Sequence, residues 1–186
     1  MQDKKLIDLC KSIYRKHKDA IDLILEWGMT SQFQTVAEEF VKNQKNFLLL
    51  STRPHSVWFI PKDWKNKMKA CASAWQHLSE PYPVACWFNY WAGDSKYRLG
   101  FVIEIGPMDD NNIRLKLVKE FKKKDFKIGT KAFREESRYT RVYSSYIRIE
   151  DPDDQDLINN QLEQLWQKSQ GAVKNTAKIL SSFEWK

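Results

Sequence analysis

Two apolar stretches, residues 84–91 (VACWFNYW) and 97–105 (YRLGFVIEI), constrain the fold more than any other feature of the chain. A short link, Ala92-Gly93-Asp94-Ser95, joins them. In the second stretch Tyr97, Leu99, Phe101, Ile103 and Ile105 alternate with Arg98, Gly100, Val102 and Glu104. Period two places one set on a core and the other on a wetter face. Two such strands joined by so short a link predict an antiparallel hairpin, and Gly106-Pro107 ends it. A second, shorter pair lies upstream. Residues 46–51 and 56–60 are apolar, Arg53-Pro54-His55 lies between them, and Pro61 closes the second strand. Residues 139–149 supply a fifth strand.

Around these strands the apolar period changes to three and four, the helical spacing. Leu6, Leu9, Cys10, Ile13, His17, Ile21 and Ile24 predict a helix over 3–27 that stops at Gly28, with His17 as a core histidine. Ser31 and Gln34 form a capping-box pattern ahead of Phe33, Val36, Ala37, Phe40 and Val41. Met68, Cys71, Ala72, Trp75 and Leu78 predict a helix over 65–78. Residues 110–124 fit strand or helix by period alone, and their lysine-rich flanks favour a helix. Asp151-Pro152-Asp153-Asp154 starts the last helix, acidic residues at its positive end. Its face runs through Ile158, Leu162, Leu165, Ser169, Val173, Thr176, Leu180 and Phe183.

The expectation is an α+β fold: a largely antiparallel five-stranded sheet with helices packed on it, two N-terminal helices and a long C-terminal helix. We expect one domain over 1–186, with a helical pair at 1–45, the sheet with two helices at 46–149 and the last helix at 150–186. An apolar content of 42% with 13% aromatics excludes a disordered chain. No run approaches the roughly 20 apolar residues of a bilayer span, and the N-terminus lacks a signal-peptide core. Cys10, Cys71 and Cys86 have no paired spacing, so buried or free thiols in a reducing cytoplasm are expected.

The net charge is concentrated. Between Arg114 and Arg141 stand eleven Lys and Arg against four Asp and Glu, a surplus equal to the +7 of the whole chain. Such a face is the electrostatic footprint of a polyanion partner. The candidate nucleic-acid-binding residues are Lys116, Lys119, Lys123, Lys124, Lys127, Lys131, Arg134, Arg138 and Arg141. An acidic protein surface or a nuclease partner is the competing occupant, and a solvated helix face with a charged loop needs no partner at all.

Other chemistry has less support. His17, His55 and His77 share no ligand spacing and no CxxC occurs, so neither a metal nor a cofactor is expected. No nucleophile elbow or phosphate loop is present. Asp or Glu followed two places on by Lys, the strand signature of a metal-dependent nuclease, starts at Asp3, Asp63, Asp94, Glu120, Asp125 and Glu184; chance supplies about three such matches. Asp110, Glu120 and Lys122 are the best placed, but on a helix the last two diverge by about 200°. The aromatic strand 84–91 could stack bases, although core packing on both its faces is the favoured reading, and more so for Trp58, Trp64 and Trp75.

Residues 14–26 (YRKHKDAIDLILE), 59–64 (FIPKDW), 99–107 (LGFVIEIGP), 113–124 (IRLKLVKEFKKK) and 138–157 (RYTRVYSSYIRIEDPDDQDL) resemble the region after the catalytic core in bacterial and phage proteins of the PD-(D/E)XK nuclease superfamily. The resemblance implies a helix after Gly106-Pro107. It implies that the nuclease core is missing, so that no residue here inherits a catalytic role. It also implies a mobile-element or phage-defence setting. The expected function is a non-catalytic accessory module that binds nucleic acid. A protein-interaction module, such as a phage-encoded inhibitor of a host defence complex, is the alternative, and a divergent Mg-dependent nuclease the second.

Overall fold

The computed structural model describes residues 4–22, 32–69, 75–93 and 96–185. They fall into two compact units, Met1–Ser31 and Gln32–Lys186.

In the first unit, helix α1 spans Lys4–Lys16. The chain bends at His17 and is helical again over 18–22. The Tyr14 hydroxyl and the Lys18 ammonium both donate to the Asp22 carboxylate, at 3.0 and 2.6 Å, and hold it below the usual carboxylate range, the lysine first. The expected helix over 3–27 is therefore interrupted, and its residues 23–27 lie outside the described residues. His17 is exposed at the bend, not a core histidine. Leu6, Leu9 and Ile13 recur along one side of α1 and are exposed.

The second unit contains the sheet: β1 (Phe47–Arg53), β2 (Ser56–Pro61), β3 (Val84–Gly93), β4 (Lys96–Ile105) and β5 (Thr140–Ile149). Their order in space is β1-β2-β3-β4-β5, antiparallel at every step. Bulges interrupt the register at Leu49/Ser51 and at Ile103/Glu104. The α+β class, the antiparallel five-stranded sheet and the long C-terminal helix are as the periodicities require.

Helices α2 (Gln32–Asn43) and α4 (Gln155–Ser182) cover one face of the sheet. Phe88 of β3 is the centre of this core. Phe59 stacks on it at 5.2 Å, Phe101 lies 5.5 Å away, and Phe40 of α2 meets it edge-on at 5.5 Å. Trp166 of α4 closes the cluster against Phe47 and Phe101 at 4.6 and 5.8 Å. Such ring pairs add to the burial of apolar area, which drives the packing. Asp154 caps α4 by accepting from the Leu157 amide at 2.9 Å. The expected stripe from Ile158 to Leu180 is buried, while Phe183 is half-buried beyond the helix end. None of the helices among the described residues is long and apolar enough to cross a membrane.

Over the described residues 65–69 and 75–78 the expected helix does not form. A 3₁₀ turn spans Lys62–Lys67, Met68 is extended, and Trp75–Leu78 is a turn closed by Leu78 N–H to Trp75 C=O at 3.1 Å; Cys71 and Ala72 lie outside the described residues. The apolar side chains here find separate partners instead of one helical stripe. Trp64 is fully buried, and Trp75 packs on Trp58 at 5.4 Å. A Cβ on Gly106 would come within 2.7 Å of the Trp75 ring, so glycine is what lets the indole lie there. The Ser79 amide donates to the Leu50 carbonyl at 3.0 Å, fixing this segment over the β1 end of the opposite face.

Candidate nucleic-acid interface

The basic segment folds as helix α3 (Asn111–Lys123), a loop with a 3₁₀ turn at Thr130–Phe133, and then β5. Asp110 caps α3, its carboxylate accepting from the Asn112 amide at 2.7 Å. The helix ends in a Schellman turn, with Asp125 N–H to Lys122 C=O at 3.2 Å and Phe126 N–H to Phe121 C=O at 3.3 Å. Asp125 holds the left-handed position, φ 62°, and Phe126 packs edge-on against Phe121 at 5.0 Å. The turn thus directs Lys124 and Lys127 into the loop just after the helical lysines.

Arg114 is the exception within the segment. It is 1% exposed. Its Nε donates to Arg138 C=O at 3.2 Å, its terminal nitrogens reach Ala132 C=O at 3.3 and 3.4 Å, and Nη2 also bonds Thr140 Oγ1. Burial lowers its pKa, since desolvation disfavours the charged form. Asn111 Nδ2 donates to Glu135 C=O at 2.9 Å, and Ser137 Oγ to Lys131 C=O at 2.6 Å. The loop is therefore tied to α3 by polar side chains at its base. Arg114 shares the inward stripe with Leu117, Val118 and Phe121. Spacing at three, four and seven was the signal that could have separated it from the surface cations.

All nine candidate cations are exposed. Lys116, Lys119 and Lys123 lie along the outer side of α3. Residues 124, 127 and 141 border one open depression of about 560 Å³ between the helix end and β5. Arg138 borders another, of about 870 Å³, with Arg53, His77, Tyr139, Glu135 and Glu136. There, burial and then the Arg53 charge push His77 below the ordinary imidazole value. Three of the nine have acidic neighbours: Lys123 with Glu120 at 2.6 Å, Arg134 with Glu136 at 3.9 Å and Arg141 with Glu104 at 3.9 Å. Exposed pairs like the first two contribute little. Among the described residues the other six candidates form no ion pair.

The carboxylates of the nuclease-like pattern are otherwise occupied. Asp110 is a helix cap and Glu120 accepts from Lys123, while Glu120 and Lys122 sit on one helix, not on a strand. Among the described residues no three His, Cys, Asp or Glu side chains converge on a point that could hold a metal ion.

In the aromatic strand the expected core packing on both faces holds from Val84 to Phe88 and fails at the far end, at Trp91. Cys86 and Phe88 are buried and Tyr90 half-buried beneath α2, and burial raises the Cys86 thiol pKa well above its ordinary value. On the other side Trp87 is nearly buried, but Trp91 is 52% exposed. Trp58, Trp64 and Trp75 are buried. The register aligns Trp91, Arg98 and Arg148 across three strands, and beside them Asn89, Gly100 and Tyr146. The Arg98 guanidinium lies 5.7 Å from the Trp91 ring centre, and the Arg141 guanidinium 5.4 Å from that of Trp87. Comparison of the chain with protein-family models, curated proteins and solved structures finds no match.

Proposed function

We propose that this chain is a nucleic-acid-binding module whose contact surface is the outer side of α3 and the loop that follows. One observation carries the reading. Lys116, Lys119, Lys124, Lys127, Lys131 and Arg138 stand exposed without ion pairs among the described residues, on a segment anchored by the buried Arg114. Anchoring reduces the ordering cost of gathering cations around a polyanion. Neutralising several phosphates releases counterions and makes affinity steeply salt-dependent. The accessory, non-catalytic role beside a nuclease rests on the resemblance of residues 99–107 and 138–157 to the post-catalytic region of the PD-(D/E)XK superfamily.

Binding of labelled duplex and single strands is measured at several salt concentrations. Reversing Lys116, Lys119 and Lys123 together to Glu is expected to weaken binding at least tenfold and to flatten the salt dependence by about 0.9 in slope per lost duplex contact. Unchanged affinity in that variant sinks the reading. The protein-interaction alternative draws on the exposed Leu6, Leu9 and Ile13 of α1, a stripe that suits a partner helix; recovery of no protein on co-purification counts against it.

A further inference from the structure

The face of the sheet opposite α2 and α4 contains charges and rings that the fold does not use. Arg98 and Arg148 are directly paired across β4 and β5. Both are exposed, and among the described residues neither has a carboxylate partner. Like charges directly opposite one another on a sheet cost stability. A solvated surface gains nothing from this arrangement, whereas a bound phosphate would be held from both sides.

The neighbouring rings are exposed. In the next row a Cβ on Gly100 would lie 2.6 Å from a Tyr146 ring carbon and closer still to Asn89 Oδ1. Only glycine there leaves room for the tyrosine to lie across β4, and its ring remains 42% exposed. Trp91, half exposed, has one side engaged by Arg98. The face is also continuous with the basic loop. Tyr139, 52% exposed, follows Arg138 directly and lies 6.2 Å from Trp75. Farther along the same face of β4, Glu104 is almost buried and paired with Arg141.

We propose that this face is a stacking platform for single-stranded nucleic acid, with Trp91 and Tyr146 taking bases and the Arg98/Arg148 pair taking phosphate. The inference rests on the helix–loop reading for its polyanion partner and adds the strandedness. Every base has a ring face, so stacking tolerates any sequence. In a duplex those faces are already stacked, and side chains on a broad flat sheet cannot reach them. The loop cations would then continue the track along the backbone beyond Tyr139.

The experiment uses the full chain with labelled oligothymidylate, oligouridylate and a duplex, followed by anisotropy and by tryptophan quenching. Trp91→Ala, and Arg98→Ala with Arg148→Ala, are each expected to weaken single-strand binding about tenfold. Duplex affinity should stay within about twofold, because the lysine surface supplies it. Trp91→Phe should recover most of the loss, and Trp91→Ala should remove much of the quenching. Removing the arginine pair, which holds one phosphate, should lower the single-strand salt slope by about 0.7. A difference between the thymidylate and uridylate arms assigns the platform to DNA or RNA. Single-strand affinity untouched by both platform variants but lost in the Lys116/Lys119/Lys123 reversal overturns the platform and leaves the helix–loop surface standing. The opposite pattern keeps the platform and removes the helix–loop surface; absence of binding by the native chain overturns both.

Discussion

The two faces of the sheet use aromatic residues in different ways. On the face covered by α2 and α4, rings meet rings: Phe88 touches Phe59, Phe101 and Phe40, and all are almost fully buried. On the opposite face Trp58 stacks on Trp87 at 4.8 Å and packs on Trp75, but the outer sides of the rings meet cations: Trp91 with Arg98, Trp87 with Arg141. Both faces come from the same strands, residue by alternate residue. The first arrangement excludes water and holds the fold together. The second sets cations against indole rings, with Trp91 left in contact with solvent.

Substitution tests that contrast. The largest effect is expected on the covered face. Phe88→Ala removes the central ring of the cluster and should cost about 3–5 kcal/mol in denaturant unfolding, whereas Trp91→Ala on the same strand should change stability by less than about 1 kcal/mol. Equal losses would erase the distinction between the faces. An intermediate effect is expected at Gly100. Gly100→Ala must push Asn89 and Tyr146 away from β4, costing about 1–2 kcal/mol and increasing tyrosine exposure to a soluble quencher. No change in that exposure would mean that the ring does not depend on the glycine.

The smallest effect concerns Glu104. Burial raises its pKa, and the nearby Arg141 charge opposes the shift only in part. A raised folded value means that the stabilising contribution is complete below the ordinary glutamate range and is lost as pH rises through the raised value. The native chain should therefore lose a little stability on going from acidic to neutral pH at this site. Glu104→Gln should flatten that part of the stability profile. Superimposable profiles for the two proteins would show that Glu104 bears no such cost.

Alternation and helical period were strong enough to read the sheet and its covering. The strands at 84–91 and 97–105 run two residues and one residue further in the structure, and the helix after Gly106-Pro107 forms. The misreadings share a physical origin. Residues 65–78 have helix-spaced apolar side chains, but Trp58 and Gly106 give Trp75 a better place than a helix stripe would. Arg114 counts as surface charge in any tally of a basic run, yet backbone carbonyls of a later loop solvate it. Those acceptors are distant in sequence, so no local pattern announces them. The open face was partly legible: Arg98 and Gly100 stood on the wetter side of their strand. Their alignment with Arg148 and Tyr146 depended on how β5 registers against β4, including the bulge at Ile103/Glu104.

The order of the strands in space repeats their order in the chain, whereas α4 follows them all. During synthesis the whole meander can therefore assemble before its main cover exists. For that interval α2 alone shields this face, and the sides of Phe59 and Phe101 that Trp166 later meets lie open, a form of intermediate prone to association. A chain ending before residue 155 would have all five strands but only α2 over its aromatic face.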